Sequence, residues 1–144
     1  MDNCARLIVL MLRQQLCAQV VTSLRVEAGK VTVFASTVSD QGSGQSQFKI
    51  SIPRLDAYYT GTGDLMTALL LAFINEEPHN LAAAVEKAVA GVQGVLQITI
   101  DAGKAAPPDD KSAEAAYSRE LRLIQAQHAI LQPNVTYSAE DVAD

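Results

Sequence analysis

The residues best suited to chemistry are Thr60-Gly61-Thr62-Gly63-Asp64, which run without a break into Leu65-Met66-Thr67-Ala68-Leu69-Leu70-Leu71-Ala72-Phe73. The pattern reads as a glycine-rich turn opening into an apolar helix. Glycine takes backbone angles that other residues avoid and lets a ligand come close to the main chain. The first turn of a helix presents unpaired N–H groups and a partial positive charge, a natural seat for an anion. Asp64 sits at that mouth. Phosphoryl transfer to an alcohol needs donors that hold the migrating group and a carboxylate that takes the hydroxyl proton. The same residue types also make an ordinary helix start, with Thr or Asp as N-cap and Gly as a turn. No Gly-Lys-Ser/Thr follows, so the stretch is not a Walker A loop. Choosing between a site and a plain cap needs the surrounding chain.

The elements that would position this turn lie on both sides of it. Upstream, Gln19-Val20-Val21-Thr22-Ser23 reads as a short buried strand, with hydroxyls at its carboxyl end. That is where ligands bind in open α/β sheets, although a strand leaving the core through small polar residues looks the same. Lys30–Ser36 and Gln47–Ile52 alternate polar and apolar residues and predict two half-buried antiparallel strands. Between them, Ser39 to Ser46 reads as a flexible polar loop, either a flap over a site or a surface loop. Pro53 ends the second strand. The helix from Asp64 to about Asn75 is apolar nearly all round, which predicts packing on all faces, and it stops at Glu76-Glu77-Pro78. Asn80 caps a second helix that runs to about Ile100. Gly91 and Gly94 inside it suggest close backbone packing or a nearby ligand, and Val92, Val95 and Leu96 form an apolar wall. Ala102 to Asp110 is a loop, and Ser112 caps the last helix, with Leu121, Ile124 and His128 on one face. His128 has no second ligand near it in sequence and reads as a surface or partly packed histidine. Val135-Thr136-Tyr137 suggests a short strand, followed by an acidic tail from Ser138. Residues 4–17 read as a buried amphipathic helix, too short for a bilayer span and poor as a signal peptide.

Composition narrows the function classes. The chain has 144 residues, 49% hydrophobic and 19% charged, as expected of one folded, soluble domain. A net charge of −5 argues against nucleic acid or an anionic membrane as partner. Without Trp, a stacking platform for single strands is not expected. Cys4 and Cys17 have neither metal-ligand nor CxxC spacing, so reduced thiols in the cytosol are the expectation.

Together these residues resemble the C-terminal half of a pyridoxal kinase, in the ribokinase-like superfamily. The resemblance is carried by Pro53-Arg54-Leu55-Asp56-Ala57, Gly61-Thr62-Gly63-Asp64-Leu65, Asn80-Leu81 with Glu86-Lys87, Val95-Leu96-Gln97 and Glu120-Leu121-Arg122-Leu123-Ile124-Gln125. Val20-Val21-Thr22-Ser23 is similar to the family's strand that ends in Thr-Ser beside the nucleotide. Related families carry a Gly-Ala-Gly version of the motif, or Cys in place of the acid, so Thr62 with Asp64 favours the pyridoxal branch. Leu24-Arg25 departs from the small or acidic residue usual after Thr-Ser.

The resemblance implies an α/β fold, the C-terminal portion of a three-layer α/β/α domain with an antiparallel strand pair beside the parallel sheet. It implies a partial domain over residues 1–144 whose N-terminal substrate half is missing. The implied reaction is ATP-dependent phosphorylation of the 5′-hydroxymethyl group of pyridoxal, pyridoxine or pyridoxamine, which yields pyridoxal 5′-phosphate. Asp64 would be the base, and the amides of Gly61, Thr62 and Gly63 would hold the γ-phosphoryl group. Thr22 and Ser23 would lie by the ATP phosphates and a monovalent cation, K+ or Na+. Leu55, Tyr59 and Leu96 would line the adenine and ribose pocket. Mg2+ or Zn2+ would arrive with ATP, with no protein metal ligands assigned, and the full-length protein would be a cytosolic homodimer. Two alternatives stay open: an inactive nucleotide-binding fragment, and another ribokinase-like kinase acting on a hydroxymethylpyrimidine or a sugar.

Overall fold

Alternating side chains build the sheet, and helix-period apolar residues build the rest. The computed structural model describes residues 18–38, 45–55, 58–103, 107 and 109–142. The chain divides into two compact units, Met1–Arg54 with Tyr137–Asp144, and Leu55–Thr136. Residues 4–17, with both cysteines, and most of the expected polar loop, 39–44, lie outside the described residues.

In the first unit, β1 (Ala18–Leu24), β2 (Lys30–Val38), β3 (Gln45–Pro53) and β4 (Glu140–Asp141) form an antiparallel sheet in the order β1-β2-β3-β4. The expected strand pair is β2 and β3, in register from Lys30 opposite Pro53 to Val38 opposite Gln45. Gln45 and Ser46 therefore belong to β3 rather than to the loop. Val33 faces Ile50 across the pair and Ala35 faces Phe48, and all four are buried. Such cross-strand pairs are the unit of sheet stabilisation. On the other face Phe34 is surrounded by Val21, Leu24, Val26 and Val142.

The expected strand over Gln19–Ser23 is present as β1, but it is half-buried at most, and Thr22 and Ser23 are exposed. Among the described residues it is the edge strand of the sheet, its pairing slips between Val21 and Leu24, and Ser23 takes φ 63 there. The strand expected at Val135–Tyr137 does not form. The acidic stretch after it supplies β4 instead, because Glu140 finds Lys49 at 3.7 Å and the Val142 amide donates to the Gln47 carbonyl at 3.0 Å.

The second unit holds α1 (Thr62–Glu76), α2 (Leu81–Asp101), α3 (Ala113–Ser118) and α4 (Gln127–Leu131). Asn80 caps α2 as expected, its Oδ1 accepting from the Ala83 amide at 3.0 Å. By length and hydropathy alone α2 could cross a bilayer. Here Ala84, Val85, Ala88, Val89 and Val95 are buried, and α2 packs on both α1 and α4, so it serves as a core helix. The two interior glycines make that packing possible. A Cβ at Gly91 would stand 2.9 Å from Leu69 Cδ1, and one at Gly94 would stand 2.8 Å from Ala129 Cβ.

Two sequence expectations are corrected in this unit. Packing on all faces of α1 is not found: only Met66, Leu69 and Phe73 are buried, while Leu71 is 75% exposed and Ile74 is exposed. One neighbouring helix covers one stripe, whatever the composition of the opposite face. The last helix is also not continuous. Its Ser112 cap is correct, with Oγ accepting from the Ala115 amide at 3.1 Å, but α3 ends after one and a half turns and a new short helix starts at Gln127. The reason is tertiary. Glu120 leaves the helical path to form a parallel bridge with Thr60, and the Arg122 amide donates to Thr99 Oγ1 at 3.1 Å. As a result Ile124 and His128 are exposed.

Candidate functional site

The site forms where Thr60 enters α1. The Thr60 amide donates to the Arg119 carbonyl at 2.9 Å, and Thr60 Oγ1 donates to the same oxygen at 3.3 Å. Gly61 then turns into the left-handed region, φ 85 and ψ 2, a conformation that costs other residues energy. The Leu65 amide donates to the Gly61 carbonyl at 2.9 Å, which opens α1. No side chain caps this helix. Thr62 and Asp64 therefore do not act as the ordinary N-cap that the sequence also allowed. The Thr67 hydroxyl instead donates backwards to the Gly63 carbonyl at 2.9 Å. A Cβ built on Gly63 meets nothing within 4 Å, so the space over the first turn is open.

A cavity of about 490 Å³ lies against this entry. One wall is Thr60, Gly61, Asp64, Leu65 and Ala68; the other is Glu120, Leu121 and Leu123. Asp64 is exposed and sits within the first turn. The arrangement offers helix N–H groups for an anion and two carboxylates, Asp64 and Glu120, beside apolar walls. Among the described residues no group of three His, Cys, Asp or Glu side chains comes together.

Of the residues singled out from the sequence, Gly61 and Asp64 line the cavity, and Thr62 and Gly63 lie between them in the first turn. Leu55 is half-buried, Tyr59 is 6% exposed and Leu96 is half-buried on α2; none is among the lining residues. Thr22 and Ser23 belong to the first unit, in the bulge of β1. Asp56 and Ala57 lie outside the described residues. Sequence reasoning assigned no role to Glu120, Leu121 and Leu123, although they were among the residues that carry the resemblance. Nothing in the sequence around Arg119 marks it out.

No protein-family model matches the chain. Among curated proteins it is 44% identical over 121 residues to a pyridoxal kinase of Arabidopsis thaliana, covering 84% of this chain and 38% of the relative. It is 38% identical over 104 residues to pyridoxal kinase of Sus scrofa, covering 72% of this chain and 32% of the relative. Among solved structures, pyridoxal kinase from Leishmania donovani in complex with ADP and pyridoxamine superposes with a TM-score of 0.78 at 23% identity, over 99% of this chain and 45% of that one. The chain thus spans about two fifths of the length of such relatives. Sequence likeness and fold together put this chain with the pyridoxal kinases, in the ribokinase-like fold, over a portion consistent with their C-terminal half.

Proposed function

We propose that this chain supplies the phosphoryl-transfer portion of a pyridoxal kinase, which phosphorylates the 5′-hydroxymethyl group of pyridoxal, pyridoxine or pyridoxamine with ATP. The observation that carries the reading is Asp64, exposed on the cavity within the first turn of a helix that enters through a left-handed glycine and has no side-chain cap. Support comes from relatives named pyridoxal kinase at 44% and 38% identity. It also comes from solved relatives of the same fold that hold ADP with pyridoxamine, or AMP-PNP with PL.

In this reading Asp64 accepts the proton of the 5′-hydroxyl as its oxygen attacks the γ-phosphorus. The N–H groups of Gly61, Thr62 and Gly63 hold the charge that develops on the migrating group. Open space over Gly63 lets phosphate oxygens approach the backbone. Mg2+ or Zn2+ would arrive with ATP and neutralise phosphate charge. Thr22 and Ser23 would contact the ATP phosphates and a K+ or Na+ ion, and Leu55, Tyr59 and Leu96 would form the nucleoside side of the site. The full-length protein would work as a cytosolic homodimer.

The test is ATP-dependent formation of pyridoxal 5′-phosphate by the purified chain, with Asp64→Asn beside it. Loss of a positioned base lowers kcat by about 10²–10⁴-fold. Turnover of Asp64→Asn within a few-fold of wild type would remove Asp64 as the base. ATP binding without any turnover would leave the chain a nucleotide-binding module.

A further inference from the structure

We infer that Arg119 is a positioning residue for the Gly61–Asp64 turn, acting through its own backbone carbonyl on Thr60. The inference rests on the phosphoryl-transfer reading of that turn. Arg119 is 8% exposed and ends α3 as its C-cap residue. Its guanidinium Nε donates to the Ala115 carbonyl at 3.0 Å, Nη1 to the Pro107 carbonyl at 3.3 Å, and Nη2 to the Asp110 carbonyl. A buried guanidinium is costly unless its donors are satisfied, and its planar fork fixes where each acceptor stands. One side chain therefore ties the loop before α3 to the last turn of α3.

The backbone of Arg119 is held by that grip, and its carbonyl is the one that takes both the amide and the hydroxyl of Thr60. The next residue on each strand, Gly61 on one side and Glu120 on the other, lines the cavity. Two residues further along, Arg122 is tied to α2, since its amide donates to Thr99 Oγ1 and that hydroxyl donates to the Val95 carbonyl at 2.7 Å. The segment 119–122 is thus pinned at both ends, and Thr60 is hung on it immediately before the left-handed glycine. Releasing the guanidinium lets Thr60 shift, and Gly61 and Asp64 shift with it. A misplacement of about 1 Å at a reacting group lowers turnover by about 10²-fold.

The experiment is amide hydrogen exchange by NMR on the whole chain, together with steady-state kinetics, for wild type, Arg119→Ala and Arg119→Lys. The expected result is that Arg119→Ala speeds exchange of the Thr60 amide by about tenfold or more, while Val89 and Val95 in α2 keep their protection, as expected of a local opening. Arg119→Lys keeps the charge but has no three-point fork, so it loosens Thr60 less and serves if the alanine variant does not fold. In the kinetics, kcat falls by about 10–100-fold with KM for ATP within about threefold, and the penalty shrinks when Asp64→Asn is already present. An unchanged Thr60 amide overturns the inference, whatever the turnover. Equal loss of protection in α2 overturns it too, because Arg119 would then be a general stabiliser. An Asp64→Asn variant as active as wild type overturns the phosphoryl-transfer reading instead, whatever the amide does.

Discussion

At the scale of single residues, the two glycines of the turn do different work, and substitution separates them. Gly61 has φ 85, and a Cβ there would meet only Leu121 Cδ1 at 3.9 Å, an ordinary contact. Gly61→Ala should therefore cost about 1–2 kcal/mol through torsion alone, read from urea midpoints. Gly63 is helical, with open space around its missing side chain. Gly63→Ala should stabilise the chain by about 0.5 kcal/mol yet lower turnover, because the methyl occupies the approach to the backbone. A variant both more stable and fully active would mean that no ligand comes close at Gly63. Asp110 gives a pH test. The Ser112 amide, 2.9 Å from its carboxylate, holds Asp110 below the usual carboxylate range. A depressed carboxylate contributes stability above its unfolded pKa and loses that contribution as pH falls through the folded value. Asp110→Asn should flatten this part of the acid limb of a melting-temperature profile, while its carbonyl still accepts from Arg119. The turn at Gly61 and the helix that opens behind it were legible, because a glycine and an apolar run carry that information in their types. Arg119 was not, because it binds carbonyls, and any backbone offers those.

At the scale of elements, α2 was the most legible part of the chain. Asn80, the alanine run and the apolar period all pointed the same way, and the interior glycines foretold close packing. The two glycines differ in what stands over them. A Cβ on Gly91 would press on the Cδ1 end of Leu69, which can rotate, whereas one on Gly94 would press on the Cβ of Ala129, which moves only with its backbone. Gly94→Ala should cost about 1–3 kcal/mol by overpacking. Gly91→Ala should cost less, since the gain in helix propensity of about 1 kcal/mol offsets part of the clash. Equal thermal shifts for both would show that α4 yields as readily as the Leu69 side chain. The last helix was misread for a physical reason. Leu121, Ile124 and His128 have helical spacing, but Glu120 is drawn into a bridge with a residue sixty positions away, and periodicity carries no such information. No strand forms at Val135–Tyr137 for the same reason, because the two-residue strand at Glu140–Asp141 depends on pairing with Phe48 and Lys49 of β3 rather than on its own sequence.

For the molecule as a whole, composition indicated a folded, acidic chain, but it could not say which apolar residues would be covered. Leu71 is 75% exposed and Ile124 is 79% exposed, although both lie in stretches that read as packed helix faces. Soluble monomers leave single apolar residues outside routinely, whereas larger exposed patches mark contact surfaces or association. If these side chains drive concentration-dependent association of the purified chain, Leu71→Glu with Ile124→Glu should suppress it in static light scattering. Glutamate is the informative choice, because the chain already carries a net charge of −5 and added acid increases its self-repulsion. The melting temperature should hardly move, since neither side chain is buried and exposed substitutions usually change stability by no more than about 0.5 kcal/mol. Association that persists in the double variant would place the contact elsewhere. A drop of many degrees in melting temperature would mean that Leu71 or Ile124 is covered in solution, and the outward face of α1 would then have to be redrawn as an interface.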